Sequence, residues 1–280
     1  MSLAARLAPL LAYAAALHVT QPSDPRPPRR IFGPDHRRAC RPKQSKTATD
    51  STIIGGTVVE DPNKFPFLAW TGDNDGTGLR HFCGGSLISS RVVLTAAHCI
   101  YDNDELNANV YVRFRLRDYS KEPGIAYNVI NWQRHQDFQY RTTKNDIALW
   151  LLNDSVPEQL VQPLALSNGT QEFEKSGEKV VAGWGTTDED CMATSSFLRE
   201  ATVPMGEYGP TCSTPGSLTV SESDHFNPED QLCAGLYTTP GQTYPGCGDS
   251  GGPLMHKGEN GYVQVGLVDW SYGFPYPAVF

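Results

Sequence analysis

The chain has 280 residues with 26 glycines, 21 prolines and a formal net charge of −8. An acidic balance, with the basic residues gathered partly near the N-terminus, argues against a nucleic-acid partner. Seven cysteines fit an oxidising compartment but leave one over.

In chain order, Met1 to Arg6 is followed by an apolar run from Leu7 to Leu17 with small residues at Ala14 and Ala16. This reads as a secretory signal peptide over residues 1–16, too short for a membrane span. Residues 17–52 are rich in Pro, Arg, Lys, Ser and Thr, with few side chains to bury, and are expected to be flexible. After Ile53 the pattern changes to short apolar runs such as Phe67-Leu68-Ala69-Trp70, Arg91-Val92-Val93-Leu94-Thr95 and Val180-Val181-Ala182-Gly183-Trp184, separated by Gly, Pro, Asn and Asp clusters. With no long helical periodicity and no internal repeat, this predicts many brief strands and an all-β fold.

Four motifs punctuate this region: Ile53-Ile54-Gly55-Gly56, Thr95-Ala96-Ala97-His98-Cys99, Asn145-Asp146-Ile147-Ala148-Leu149 and Gly248-Asp249-Ser250-Gly251-Gly252-Pro253. Taken singly, each has an ordinary reading: a strand entering a turn, a core histidine, a loop of turn formers. Taken in order, they put a histidine, an aspartate and a serine in recognisable frames. A serine hydroxyl is a poor nucleophile at neutral pH and needs a base to take its proton, and histidine titrates in the right range. His81, His135 and His256 lack such frames and are expected at the surface or in structural roles.

These motifs resemble the trypsin/chymotrypsin family of secreted serine proteases, over residues 53–280. The resemblance implies two antiparallel six-stranded β-barrels, about 53–160 and 161–280, with the cleft between them. Residues 17–52 then become a propeptide. His98 takes the proton of Ser250 and returns it to the leaving amine, Asp146 fixes the imidazole, and the N–H groups of Gly248 and Ser250 form the oxyanion hole. Cleavage before Ile53 frees an ammonium that pairs with Asp249 and organises that hole. The family pattern also implies disulfides Cys83–Cys99 and Cys212–Cys233. The usual partner of Cys247 is replaced by Phe274, so Cys247 is expected to pair with Cys191, and Cys40 remains in the propeptide.

Four departures from the pattern carry expectations of their own. Thr52 precedes Ile53, so an activator cutting after Arg or Lys has no substrate there. Cys247 directly precedes Gly248, which shortens or shifts the loop and puts Tyr244 or Pro245 at the floor of the specificity pocket, with Ser271 and Ala278 narrowing its walls. No carboxylate is there to hold a basic side chain, so small or medium apolar residues are expected before the cut bond. Asp269 stands where the family usually has a serine that donates to the triad aspartate. Two carboxylates about 4 Å apart repel by roughly 4 kcal/mol at an effective dielectric near 20, enough to keep one protonated, unless Asp269 turns to solvent. Finally, the chain stops at Phe280, where the family has a further strand and a helix, so the second barrel is expected to be C-terminally truncated.

The sequence thus predicts a secreted serine endopeptidase, made as a precursor and acting as a monomer on protein or peptide substrates after cleavage by an unknown activating protease. No metal or organic cofactor and no membrane is expected. Asn153-Asp154-Ser155 and Asn168-Gly169-Thr170 are candidate glycosylation sites. The competing reading is a protease homologue without activity that binds another protein as an inhibitor or decoy.

Overall fold

The computed structural model describes residues 53, 56–74, 79–100, 110–139, 143–169, 173, 176–187, 195–205, 231–235, 243, 245–271 and 278–280. The predicted signal peptide, the propeptide with Cys40, and residues Cys191, Cys212 and Tyr244 lie outside them. The described residues are almost entirely β. The first half contributes β1 (Thr57–Val58), β2 (Leu68–Asn74), β3 (Leu79–Ser89), β4 (Val92–Thr95), β5 (Tyr111–Phe114), β6 (Ile125–Arg134) and β7 (Ala148–Leu152). The second contributes β8 (Ala165–Leu166), β9 (Glu178–Gly183), β10 (Arg199–Pro204), β11 (Cys233–Ala234), β12 (Pro253–Gly258), β13 (Gly261–Leu267), β14 (Trp270–Ser271) and β15 (Ala278–Val279). No described helix is long and apolar enough to cross a membrane.

Strands β2-β3-β4-β7-β6-β5 close into a barrel. Its interior is filled by Trp70, Leu87, Leu94, Phe114 and Trp150, all fully buried, as a small barrel's inward-facing positions must be. A bulge between Thr71 and Gly72 bends β2 around the Trp70 ring. A Cβ on Gly72 would lie 2.2 Å from that indole, so the strand needs glycine there.

The second half forms a six-stranded sheet of order β1-β10-β9-β12-β13-β8 and a three-stranded sheet of order β11-β15-β14. Together with the closed first barrel, this agrees with a two-barrel chymotrypsin-like architecture. Strand β1 pairs with β10, so the first strand after Ile53 belongs to the second half. Phe280 is buried and exchanges both backbone hydrogen bonds with Leu232, continuing the β11–β15 ladder.

The two halves share one core. Ala182, Trp184, Met255 and Leu267 of the second half pack into the same apolar cluster as the barrel's Leu87, Leu94 and Trp150. A buried Ser86 hydroxyl donates to Gln264 Oε1 at 2.6 Å across this junction. A smaller cluster, built around Val181, Leu254 and Val265, fills the second half and contains Ile53.

Candidate active site

Strand pairing brings two of the four motifs together. The β4–β7 ladder ends at the register pair Thr95↔Ala148, so the chain leaving β4 and the chain entering β7 emerge side by side. Three residues after Thr95, a single 3-10 turn at Ala97–Cys99 presents His98. Two residues before Ala148 stands Asp146, after Asn145 in the left-handed region at φ 56°. Asp146 accepts twice from the same residue: the His98 backbone N–H reaches Oδ1 at 2.8 Å, and His98 Nδ1 lies 2.5 Å from Oδ2. That pair of contacts fixes both the ring's position and the tautomer, with Nδ1–H donating and Nε2 bare.

Burial lowers the His98 pKa, but the charge and hydrogen bond of Asp146 outweigh it and leave the ring more basic than usual. Burial would raise Asp146, and the same partnership holds its carboxyl below the ordinary range. The Cys83–Cys99 disulfide, with Cα atoms 6.3 Å apart, ties the turn to β3 as the family pattern implies. A closed loop of this size is worth roughly 3 kcal/mol in the chain-entropy account.

The serine loop docks against this pair through backbone contacts that tolerate no side chain. Gly84 N–H donates to the Ser250 carbonyl at 2.7 Å, and Cys99 Sγ lies 3.8 Å from the same oxygen. Gly251, at φ 77°, packs so closely that a Cβ would lie 2.2 Å from Thr95 Oγ1 and 2.8 Å from Ala96 N. Ser250 is thereby seated beside the turn that carries His98. Gly248 adopts φ 96°, a conformation that favours glycine, and a Cβ there would touch Gly185 and His81. The loop at Cys247 is secured by Thr186, whose N–H donates to the Cys247 carbonyl at 2.7 Å and whose hydroxyl accepts from Cys247 N–H at 3.0 Å.

Asp249 is buried beneath this loop. Its carboxylate accepts from Gly185 N–H and Gly246 N–H, each at 2.8 Å. Burial dominates, and its pKa rises to about 6 despite those two donors. A Cβ on Gly183 or Gly185 would lie 2.1 or 2.4 Å from the carboxylate, so the Gly183-Trp184-Gly185 segment is shaped around it. In the intact chain no cation pairs with Asp249 among the described residues. Ile53 is buried in the second core at φ 32°.

Two further groups, one buried and one half-buried, extend the site beyond the four motifs. Asp269 is buried beside Asp146, which removes the solvent-facing alternative, and Gln231 Nε2 donates to its Oδ2 at 2.9 Å. Gln231 was invisible to motif reading because it stands in no recognisable frame. His81 is the second. Its Nδ1 lies 3.0 Å from the Thr71 carbonyl, and its ring stacks on Trp70 at 5.5 Å and meets Trp184 edge-on. Burial lowers its pKa to about 4, opposed by the carbonyls of Thr71 and Gly248, although its Nε2 makes no well-formed hydrogen bond. Among the expected pocket residues, Pro245 is buried, Tyr244 lies outside the described residues, and Ser271 pairs with Ala278 across β14 and β15. Cys233 and Cys247 are both disulfide-bonded, and the partners expected for them, Cys212 and Cys191, lie outside the described residues. Asn153 and Asn168 are exposed.

The chain is similar to known proteins over most of its length. A family model described as Trypsin matches residues 53–277. A tryptase of Mus musculus is 33% identical over 236 residues, 82% of each chain. A trypsin of Phaedon cochleariae is 32% identical over 250 residues, covering 86% of this chain and 88% of its own. Trypsin-1 of Astacus astacus is 31% identical over 208 residues, 71% of this chain and 82% of its own.

Proposed function

Because this chain belongs to the trypsin family of serine endopeptidases, we propose that it is a secreted precursor, activated by cleavage before Ile53, that cuts peptide bonds through an acyl-enzyme on Ser250. The observation that carries the reading is the double contact of His98 with Asp146, at 2.8 and 2.5 Å, on the turn against which Ser250 is seated. In this reading the Ser250 hydroxyl passes its proton to His98 Nε2 as Oγ bonds the substrate carbonyl carbon. The Gly248 and Ser250 N–H groups receive the resulting oxyanion. The same proton then leaves on the amine as the C–N bond breaks, and water repeats the sequence to release the acid and restore Ser250. Asp146 stays ionised and stabilises the imidazolium.

Activation in this reading rests on Asp249. A buried carboxylate with a raised pKa and no cationic partner among the described residues is a receptor for a positive charge, and the new Ile53 ammonium would supply it. Formation of that pair sets the Gly248 N–H, one residue away. Cleavage follows Thr52, so the activating protease does not require a basic residue before the cut.

Substrate preference follows from what lines the pocket. Pro245, which is buried, and Tyr244 before it carry no carboxylate, and Ser271 and Ala278, register partners in β14 and β15, stand where the family pattern often has glycines. Small or medium apolar residues fit that lining. Protein beginning at Ile53, offered a diverse peptide library, should cut after Ala, Val or Leu. Dominant cutting after Arg or Lys would refute the pocket assignment, and absence of any cut would refute proteolysis. The exposed Asn153 and Asn168 are proposed glycosylation sites in the secreted, monomeric product.

A further inference from the structure

We propose that Asp269 is held as a neutral carboxylic acid whose hydroxyl donates to Asp146, making it a positioning residue for the His98 imidazole. The inference deepens the hydrolase reading and rests on it for its catalytic consequence, but the protonation itself is independent of hydrolysis.

The geometry leaves little alternative for the proton. One ligand-type atom from each of His98, Asp146 and Asp269 lies within 4.8 Å of the other two, and both carboxyls are buried. Asp146 is provided for as an anion, with both oxygens taking donors from His98. Asp269 is not. Its donors are neutral and stop at the Gln231 amide, which reaches Oδ2, and the nearby Thr143 hydroxyl, while its buried Oδ1 makes no well-formed hydrogen bond among the described residues. A buried carboxylate oxygen without a donor costs the full desolvation of that atom, and a second anion beside Asp146 adds repulsion. One proton on Asp269 removes both penalties, because it turns the orphaned group into a donor aimed at the neighbouring acceptor. Like-charged carboxyls at such range cannot both ionise, and the environment that stabilises one anion selects the other as the acid.

Among the described residues the surroundings supply no competing charge. From the β4–β7 end come Asp146 and His98. From the loop before Asp146 comes Thr143, and from the segment before β11 comes Gln231, both neutral. The direction of titration agrees with the geometry: burial first, then the charge of Asp146, drives Asp269 well above the usual carboxyl range while Asp146 is lowered. The donated hydroxyl would restrain the Asp146 carboxylate, and through it the ring whose Nε2 must face Ser250. The Gln231 amide, within 3.3 Å of the Thr143 hydroxyl, would restrain Asp269 in turn.

The test separates this proposal from the hydrolase reading. Infrared spectra of the intact protein at pH 8, where Asp249 with a pKa of about 6 is ionised, should contain the carbonyl stretch of a protonated buried acid, and Asp269→Asn should lose it. No such band in the wild type, or its survival in the variant, would overturn the proposal whether or not the protein hydrolyses anything. With protein cleaved before Ile53, Asp269→Asn keeps a donor and should hold kcat/KM within about threefold, with its acid limb unmoved and its alkaline limb extended. Asp269→Ala should lower kcat by about tenfold or more at constant KM, with Asp269→Ser recovering part of the loss. A fall of about one pH unit in the acid limb of Asp269→Asn would mean that a charge had been removed, and the proposal would be wrong. A band that behaves as expected in a protein without peptidase activity would leave the protonation standing and refute the hydrolase reading instead.

Discussion

Gly251 meets Thr95 so closely that a Cβ would lie 2.2 Å from the threonine Oγ1, the atom that itself donates to the Gly84 carbonyl at 2.9 Å. This contact joins the serine loop of one half to the histidine strand of the other. The expected catalytic groups therefore depend on a glycine that carries no chemistry.

Gly251→Ala should therefore destabilise the fold by about 2–5 kcal/mol and remove activity, since both overpacking and the left-handed backbone oppose it. Gly177 is a matched control. At φ 73° it has nothing within 4 Å of its Cβ position, so Gly177→Ala should cost only about 1–2 kcal/mol from backbone strain. Denaturant titration of the two variants checks the difference, and equal losses would mean that the Thr95 contact is unimportant.

His81 and Asp249 lie on either side of Gly248 and should give opposite pH slopes to stability. His81 has a folded pKa of about 4, below its unfolded value near 6.5, so its contribution is lost as pH falls through that interval. Asp249 has a folded pKa of about 6, above its unfolded value, so its contribution is present below about pH 4 and lost as pH rises through 6. Each linkage is worth at most about 3 kcal/mol, and in the wild type they largely cancel. Relative to wild type, His81→Phe should lose stability as pH rises from 4 to 6, and Asp249→Ala should gain it. Melting temperatures across that range decide the matter, and parallel profiles for all three proteins would contradict the assignments.

Asp249→Ala should also lower kcat/KM of the cleaved protein by roughly a hundredfold or more, because breaking a buried ion pair costs about 3–5 kcal/mol. The intact chain should show little activity to lose. Comparable losses in cleaved and intact protein would argue that Asp249 does not respond to cleavage.

The acid limb of kcat/KM reports His98. With the Asp146 partnership the ring is more basic than usual, so the neutral base form disappears as pH falls through a midpoint above 6.5. Asp146→Asn removes the charge, and should move the midpoint down while reducing kcat by about 10⁴-fold. Initial rates from pH 5 to 9 check both, and an unmoved limb would mean that the titrating group is not His98.

Much of the site could be read from order alone. His98, Asp146 and Ser250 stood in frames that carry their own signature, and the short β-branched runs around Val92 and Val180 announced strands. What the frames could not convey is packing. His81 reads as an ordinary histidine until the barrel closes Trp70 over it, and Gln231 has no local pattern because its role arises from a partner 38 residues away. Thr186 likewise gains meaning only when the loop after Pro245 folds back onto it. The assignment of β1 to the second half was equally hidden, since Thr57 and Val58 find their partners at Glu200 and Arg199.

In the proposed mechanism Ser250 becomes an activated nucleophile once the chain begins at Ile53. Labelling by a fluorophosphonate probe, followed by peptide mapping, measures this directly. Cleaved wild type should be labelled rapidly at Ser250, the intact chain at least roughly a hundredfold more slowly, and Ser250→Ala not at all. Equal labelling of cleaved protein and Ser250→Ala, or no labelling of correctly cleaved protein, would rule out Ser250 as that nucleophile.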